Sequence, residues 1–455
     1  MRLPPGPGTN LLMSVLRQKR WVDPIAHFTR LAANFGDIAH YQLGRRHIVF
    51  INHPDYLREV FVVQHANFVK ERTQQRAKLL LGEGMITADG LPHKQQRQAA
   101  APAFHRQKMA AHAAEIVRRA AKLGDEWGAP APATGSAALS DPTLHNIHRE
   151  MMTLGLGIIG ATVFRTELDG EVHALNNAMS DIMDVYNAIV LLPGIRLLLQ
   201  IPFTPLRKFV HARAKLHQAV EQLIAEHRRR GADASGTDLL TMLLEAQRTQ
   251  GWSDEYVRDQ VMTVTLAGYE TTAIALTWSW YLLSQNEAAE HRMHEEIDRV
   301  LQGRLPTYDD LPRLPYTEMV LAEALRLYPP AWAMGRMALN DFSLGNYRLP
   351  AGTTVLASQY VLHRDARFFP DPLRFDPERH TPQAKAARVR GAYCPFGMGP
   401  RQCIGEAFAW MEGVLVLATL AQRYKLRHDA RHKVVPEPLF TLRPHAGMPM
   451  HVQPR

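Results

Sequence analysis

Apolar and polar positions repeat along this chain with two periods, and the longer one dominates. Over residues 38–51 (IAHYQLGRRHIVFI) β-branched and aromatic residues alternate with polar ones around Gly44, the pattern of a hairpin. Elsewhere apolar residues recur every three or four positions, the spacing that lines one face of a helix. Helices are expected over residues 107–123, 144–160 and 211–230. Ser253 followed by Asp254 and Glu255 has the chemistry of an N-cap and an acidic first turn. The helix it opens continues to about Leu283, a length of roughly 45 Å at the usual rise per residue. Another helix over residues 317–327 stops before Pro329 and Pro330. Short alternating pieces follow around residues 347–356, then proline-rich loops. A last helix is expected to start near Cys403, with Ile404, Ala407, Phe408, Met411, Val414, Leu415 and Ala418 on one face. Residues 188–203 are apolar but broken by Pro193, Gly194 and Pro202, a hydrophobic loop region between helices that would lie buried, touch a membrane surface or form an entrance. No linker separates these parts, so the expectation is one domain over residues 1–455, mainly α with a minor β component.

Composition narrows the functional classes. At 455 residues, 46% hydrophobic and 21% charged, the chain can bury a large core and is not a disordered polymer. Lys and Arg outnumber Asp and Glu by 53 to 44, a net charge of +9. Basic residues spread over a solvated surface account for most of that excess. A basic surface favours nucleic acid, anionic lipid or an acidic protein; no long basic run or zinc-finger spacing points to nucleic acid, and a docking face for an acidic electron carrier is the sharper reading. Two cysteines, Cys394 and Cys403, exclude a disulfide-built secreted protein. The N-terminal apolar stretch is too short and broken for a signal peptide or anchor, so a reduced, cytoplasmic setting is expected. Residues 263–283 are long enough to cross a bilayer, but Glu270 lies among them. A carboxylate in mid-membrane costs about 3 kcal/mol. A buried helix with one polar notch is expected instead, and no membrane span.

Two segments carry candidate chemistry. In FGMGPRQCIG, residues 396–405, two glycines and a proline precede Cys403. Glycine lets backbone N–H groups come close to the sulfur, and a following helix N-terminus favours thiolate over thiol. Arg401 could pair with a carboxylate on whatever the sulfur holds. The alternatives are a buried structural cysteine or a zinc site, for which no further ligands line up. In AGYETT, residues 267–272, small residues permit close approach to the backbone, and an acid beside a hydroxyl offers a proton path into an apolar site. The alternative is a packing contact with a threonine bonded back into its own helix.

Taken together, these segments resemble the cytochrome P450 family. Phe396, Gly397, Gly399, Arg401, Cys403 and Gly405 all match its cysteine loop. The resemblance implies a P450-like fold with a long central helix over haem b. It makes Cys403 the iron ligand, with Phe396 packed beside the sulfur and Arg401 on a propionate. It places Thr271 at the site of oxygen activation with Glu270 feeding it protons. Glu323, Arg326 and Arg379 match a buried charge network that supports the cysteine loop, with His380 standing where an aromatic is frequent. GEGMITADGLPHKQQRQAAAPAF resembles the stretch leading into a haem-contacting helix, where His93 and Arg97, four apart, reach a propionate. Arg336 takes the position of a third such contact. By the same analogy Met85, Ile86, Ala267, residues 331–334 and Phe440 line the pocket.

The implied activity is a haem-thiolate monooxygenase of the soluble bacterial type that inserts one atom of O2 into a lipophilic molecule such as a fatty acid or terpenoid. No flavin or nucleotide fingerprint is present and two cysteines are too few for an iron–sulfur cluster. Electrons would therefore come from a ferredoxin or flavodoxin with its reductase, docking near Lys94, Arg106, Arg423 and Lys425. The rival readings are a peroxide-driven oxygenase or isomerase, whose representatives tend to lose the acid–alcohol pair kept here, and a non-enzymatic haem gas sensor, for which no output module is visible.

Overall fold

The computed structural model describes residues 3–7, 23–129, 141, 143–165, 177–179, 181–182, 185, 207–230 and 238–455; the apolar stretch at 188–203 lies outside them. The chain forms two compact units, each made of two stretches: Met1–Arg76 with Leu325–Cys403, and Ala77–Ala324 with Ile404–Arg455.

The first unit is built on a five-stranded sheet. Its strands, in spatial order, are Ile38–Leu43, Arg46–Ile51, Thr354–Ala357, Met334–Ala338 and Phe68–Lys70. The expected hairpin forms its edge, with Gly44 at φ 65° in the turn, a conformation that suits a residue without Cβ. Both faces of Arg46–Ile51 are covered. Val49 and Ile51 pack with Leu57, Phe61 and Cys394, while Ile48 and Phe50 pack with Phe28 and Leu31. Phe28 belongs to a helix, Pro24–Phe35, that the apolar pattern did not reveal, and its ring stacks on Phe50 at 5.0 Å. That helix is why the strand is apolar on consecutive positions. Arg326, fully buried, donates from Nη1 to the carbonyls of His363 and Pro372, both at 2.7 Å, and from Nη2 to Arg374 O at 3.1 Å. Arg379 donates to Asp371 O at 3.0 Å. The two guanidiniums thus hold the irregular chain that leads towards the cysteine loop.

The second unit is helical. Its longest helix is Asp254–Ser284, and Ser253 caps it as expected by accepting the Tyr256 N–H at 3.1 Å. It packs closely on the helix Ile147–Val163 because glycines face bulk across the crossing. A Cβ on Gly155 would stand 3.0 Å from Tyr269 O, and one on Gly268 would stand 2.7 Å from the Ile159 side chain. Three expectations are corrected here. The segment expected to start a helix at 144 opens with a strand, Leu144–Asn146, because its backbone pairs with the C-terminal strand Pro449–Pro454. The helix expected to end at 123 runs on over Arg106–Gly128. The last helix is Glu406–Ala421, starting beyond Cys403, and every residue from Met411 to Ala421 is buried, so it is enclosed on all sides rather than amphipathic. No described helix is long and apolar enough to cross a membrane.

Candidate active site

The first unit carries Arg336, Phe396, Gly399, Arg401 and Cys403. Their geometry is set by a loop that bonds to itself. The Gly397 N–H donates to Cys394 O, the Gln402 N–H to Gly399 O and the Cys403 N–H to Phe396 O, each at 3.0 Å. Gly397 and Gly399 hold φ of 74° and 70°, which an L side chain adopts only at a cost. The loop is tied at its start, where the Cys394 N–H donates to Nε2 of the fully buried His363 at 3.0 Å. The Cys394 thiol is itself buried, and burial pushes it up to about 12, so it is an inert packing group. The Cys403 thiol, by contrast, is exposed.

Phe61 joins this loop to Arg336. The main chain of Phe61 lies against Gly399, and the Arg336 guanidinium sits 5.1 Å over the Phe61 ring. Arg336 also donates to Gly335 O at 2.7 Å, and its strand pairs with Lys70. Beside it, Glu71 is raised above the usual carboxylate range by burial, with the N–H groups of Thr73 and Gln74 and the charges of Arg336 and Lys70 working against that. Sequence reasoning missed both Phe61 and His363, since neither lies near a motif. Of the expected pocket positions in this unit, Met334 is buried, Trp332 packs against Phe28, and Ala331 is exposed.

The second unit carries His93, Arg97, Glu270 and Thr271. The Thr271 hydroxyl donates to Ala267 O at 2.7 Å, and that of Thr272 to Gly268 O at 3.4 Å. Two neighbouring hydroxyls turned back on the helix weaken its hold on those carbonyls just where the small residues lie. Glu270 is buried and raised above the usual carboxylate range by that burial. Its Oε1 accepts the Thr441 hydroxyl at 2.6 Å, and the Arg443 charge also opposes the rise.

His93 is buried and Arg97 half-buried on the helix Gly90–Ala100. The loop before it, with Met85 and Ile86, is clamped to the long helix. The Glu83 N–H donates to Asp259 at 2.8 Å and the Met85 N–H to Gln260 Oε1 at 3.1 Å. Gln96 donates to Glu83 O at 2.7 Å and to the Tyr256 hydroxyl at 2.6 Å. Burial raises Asp259, and the Glu83 N–H and Arg258 oppose it. Of the expected docking charges, Lys94 is exposed, Arg423 is bonded to Asp125 at 2.5 Å, and Lys425 lies half-buried on the strand Tyr424–His428; the Arg106 side chain lies outside the described ones.

Among the described residues, no group of three or more His, Cys, Asp or Glu side chains could hold a metal unaided. In the first unit the donor chemistry on offer is one exposed thiol at the end of a preformed loop, together with Arg336 and Arg401. That set suits an iron whose other ligands belong to a macrocycle bearing carboxylates.

A family profile described as Cytochrome P450 matches residues 4–448, across both units, and the chain belongs to the cytochrome P450 family. It is a haem-iron enzyme of the monooxygenase class that oxygenates a lipophilic small molecule. The chain is 36% identical over 424 residues to cyclooctatin synthase of Streptomyces melanosporofaciens, covering 92% of this chain and 89% of that one. It is 35% identical over 412 residues to cyclooctat-9-en-7-ol 5-monooxygenase of the same organism, covering 90% and 86%. With pentalenene oxygenase of Streptomyces avermitilis it shares 31% over 419 residues, covering 91% and 90%.

Proposed function

We propose that this enzyme oxygenates a terpenoid, using electrons from a separate donor. The class of substrate is supported by three relatives whose names specify such compounds and which align over about nine tenths of the chain. The apolar character of Met85, Ile86, Ala267 and Met334 agrees with it. The family match across both units supports reading the whole chain as one catalytic domain.

Cys403 would hold the iron of haem b as a thiolate, with Phe396 beside the sulfur and Gly399 shaping the loop. Arg336, Arg401, His93 and Arg97 would hold its propionates through charge-assisted hydrogen bonds. When bound, haem supplies the activation of O2 and the transfer of one oxygen atom. The protein's own part is proton supply and exclusion of water. Glu270 keeps a proton available because burial disfavours its anion, and Thr271 passes it on when its hydroxyl leaves Ala267 O. The observation that carries this reading is the buried acid and adjacent hydroxyl in the notch of the long helix.

The donor would be a ferredoxin or flavodoxin with its reductase, whose acidic face suits the net charge of +9. A cytoplasmic setting agrees with two cysteines that are both free thiols. The test is a spectral binding screen of the purified holoprotein against terpenes, fatty acids and steroids, followed by turnover with an added ferredoxin system. Terpene-induced spectral shifts and donor-dependent oxygenated product are expected. Shifts with fatty acids alone, or product from peroxide without a donor, would overturn the reading.

A further inference from the structure

The C-terminal ladder formed by Pro436–Pro438 and Leu442–Pro444 reaches the long helix at two places. Leu442 O accepts the Trp278 indole N–H at 2.9 Å, and the Thr441 hydroxyl donates to Glu270 Oε1 at 2.6 Å. Residues 270 and 278 are about two helical turns apart, so the hairpin is pinned along the helix at both ends of that span. Thr441 and Glu270 are 3% and 2% exposed, which removes water as a competitor for their bond. Oε2 of Glu270 has no hydrogen-bond partner among the described residues.

These facts assign the two carboxyl oxygens different tasks. In a protonated carboxyl group the carbonyl oxygen is the stronger acceptor, so the oxygen that takes the Thr441 hydroxyl is the carbonyl one. Glu270 Oε1 is therefore the acceptor, and the transferable proton resides on Oε2. Arg443, two residues beyond Thr441, is near enough for its charge to favour the Glu270 anion. It is itself held, with Nε donating to Glu437 at 3.0 Å.

We propose that the Thr441–Arg443 segment is the positioning element of the proton-donating acid: Thr441 fixes which oxygen of Glu270 carries the proton, and Arg443 supplies the positive charge that lets the proton leave. This deepens, and rests on, the reading of Glu270 as the acid. In the step concerned, once the Thr271 hydroxyl leaves Ala267 O, the Oε2–H bond of Glu270 breaks and an O–H bond forms on Thr271 Oγ1, which releases its own proton towards the place where haem, when bound, would use the donor's electrons to reduce O2. The carboxylate left behind is held by the Thr441 hydroxyl until water reprotonates it. Thr441 and Arg443 touch none of the reacting atoms and are positioning residues.

The test uses the full-length holoenzyme, with Thr441→Val removing the hydroxyl at constant shape, Thr441→Ser restoring it, Arg443→Gln removing the charge, and Glu270→Gln as reference. The first readout is the infrared stretch of the protonated Glu270 carbonyl, identified by its disappearance in E270Q. It should move to higher frequency in T441V and return in T441S. The second is peroxide released per electron in ferredoxin-driven turnover with pentalenene and cyclooctat-9-en-7-ol as probes. It should rise about threefold to tenfold in T441V and R443Q, the scale of one ordinary hydrogen bond lost, and return to the parent value in T441S. The carbon monoxide band of the thiolate-ligated reduced protein should be unchanged in all four variants. Peroxide raised in E270Q but unchanged in T441V and R443Q would overturn this inference alone. Unchanged peroxide in E270Q would overturn the acid reading and this inference with it.

Discussion

Gly399 lies against the main chain of Phe61: a Cβ on residue 399 would overlap the Phe61 carbonyl oxygen and stand 3.1 Å from its carbonyl carbon. Backbone cannot step aside as a flexible side chain can. Gly399→Ala therefore carries the left-handed backbone cost of about 1–2 kcal/mol and displaces the cysteine loop as well. Gly397, at φ 74° but with nothing within 4 Å of the added atom, carries only the backbone cost. The G399A protein should lose most of its thiolate-type carbon monoxide band and melt lower than G397A. Equal spectra and melting temperatures in the two variants would contradict the contact.

Thr271→Ala should bind haem normally yet divert reducing power into peroxide. A general acid–base group is worth about a hundredfold or more in rate, so product per electron should drop by at least about tenfold. T271S keeps a hydroxyl able to reach Ala267 O and should stay close to the parent. Equal coupling in T271A and parent would remove Thr271 from the proton path.

Gln260 holds the loop that presents Met85 and Ile86. Its Oε1 takes the Met85 N–H, and its Nε2 donates to Glu83 O at 3.2 Å. Gln260→Leu leaves the Met85 N–H unsatisfied at a cost of about 1–3 kcal/mol, while Glu83 O keeps its bond from Gln96. Spectral titration with the terpene chosen by the screen should show affinity weakened by about tenfold, with the thiolate band intact. Unaltered affinity would mean that the loop holds its shape without the clamp.

Glu412 makes stability fall as pH rises. It is wholly buried, and neither carboxyl oxygen is hydrogen-bonded among the described residues. Burial pushes it from 4.5 up to about 8, against the influence of the nearby Thr272 hydroxyl. A folded pKa above the unfolded one contributes stability that is complete below about 4.5 and is lost as pH climbs through about 8. Glu412→Gln, uncharged throughout, should remove this loss, so denaturation midpoints of variant and parent should diverge steadily from pH 5 to pH 8. Parallel curves would contradict it.

His363 acts in the opposite direction. Burial first, then the Arg326 charge, holds its pKa well below 6.5, and Nε2 accepts the Cys394 N–H only when the ring is neutral. A folded pKa below the unfolded one gives stability that is present above 6.5 and lost as pH falls towards the folded value. Acid should therefore loosen the start of the cysteine loop. His363→Gln keeps an acceptor without the titration and should hold the thiolate-type band to lower pH than the parent. An earlier or identical acid loss in H363Q would count against the anchor.

Much of the fold was legible because its causes are local. The Ser253 cap, the helix it opens and the hairpin at Gly44 depend on residues within a few positions of one another. The errors arose where a distant partner decided the outcome. Residues 144–146 pair with a strand three hundred positions away instead of joining the following helix, and the helix Glu406–Ala421 is enclosed by neighbours that its own pattern does not name. The unpredicted helix Pro24–Phe35 likewise covers the Ile48 and Phe50 face of the strand Arg46–Ile51.

The candidate site divides the same way. By itself the sequence determined the types and spacing of Cys403, Arg401, Glu270 and Thr271, because a short loop and one helical turn fix which side chains are neighbours. Only the tertiary structure decided that Phe61 backs Gly399, that His363 ties the loop at Cys394, and that Thr441, 171 residues from Glu270, takes one of its oxygens. The physical reason is range. Backbone torsions and helical periodicity act over a few residues, whereas a buried polar atom takes whatever partner the path of the whole chain brings within 3 Å.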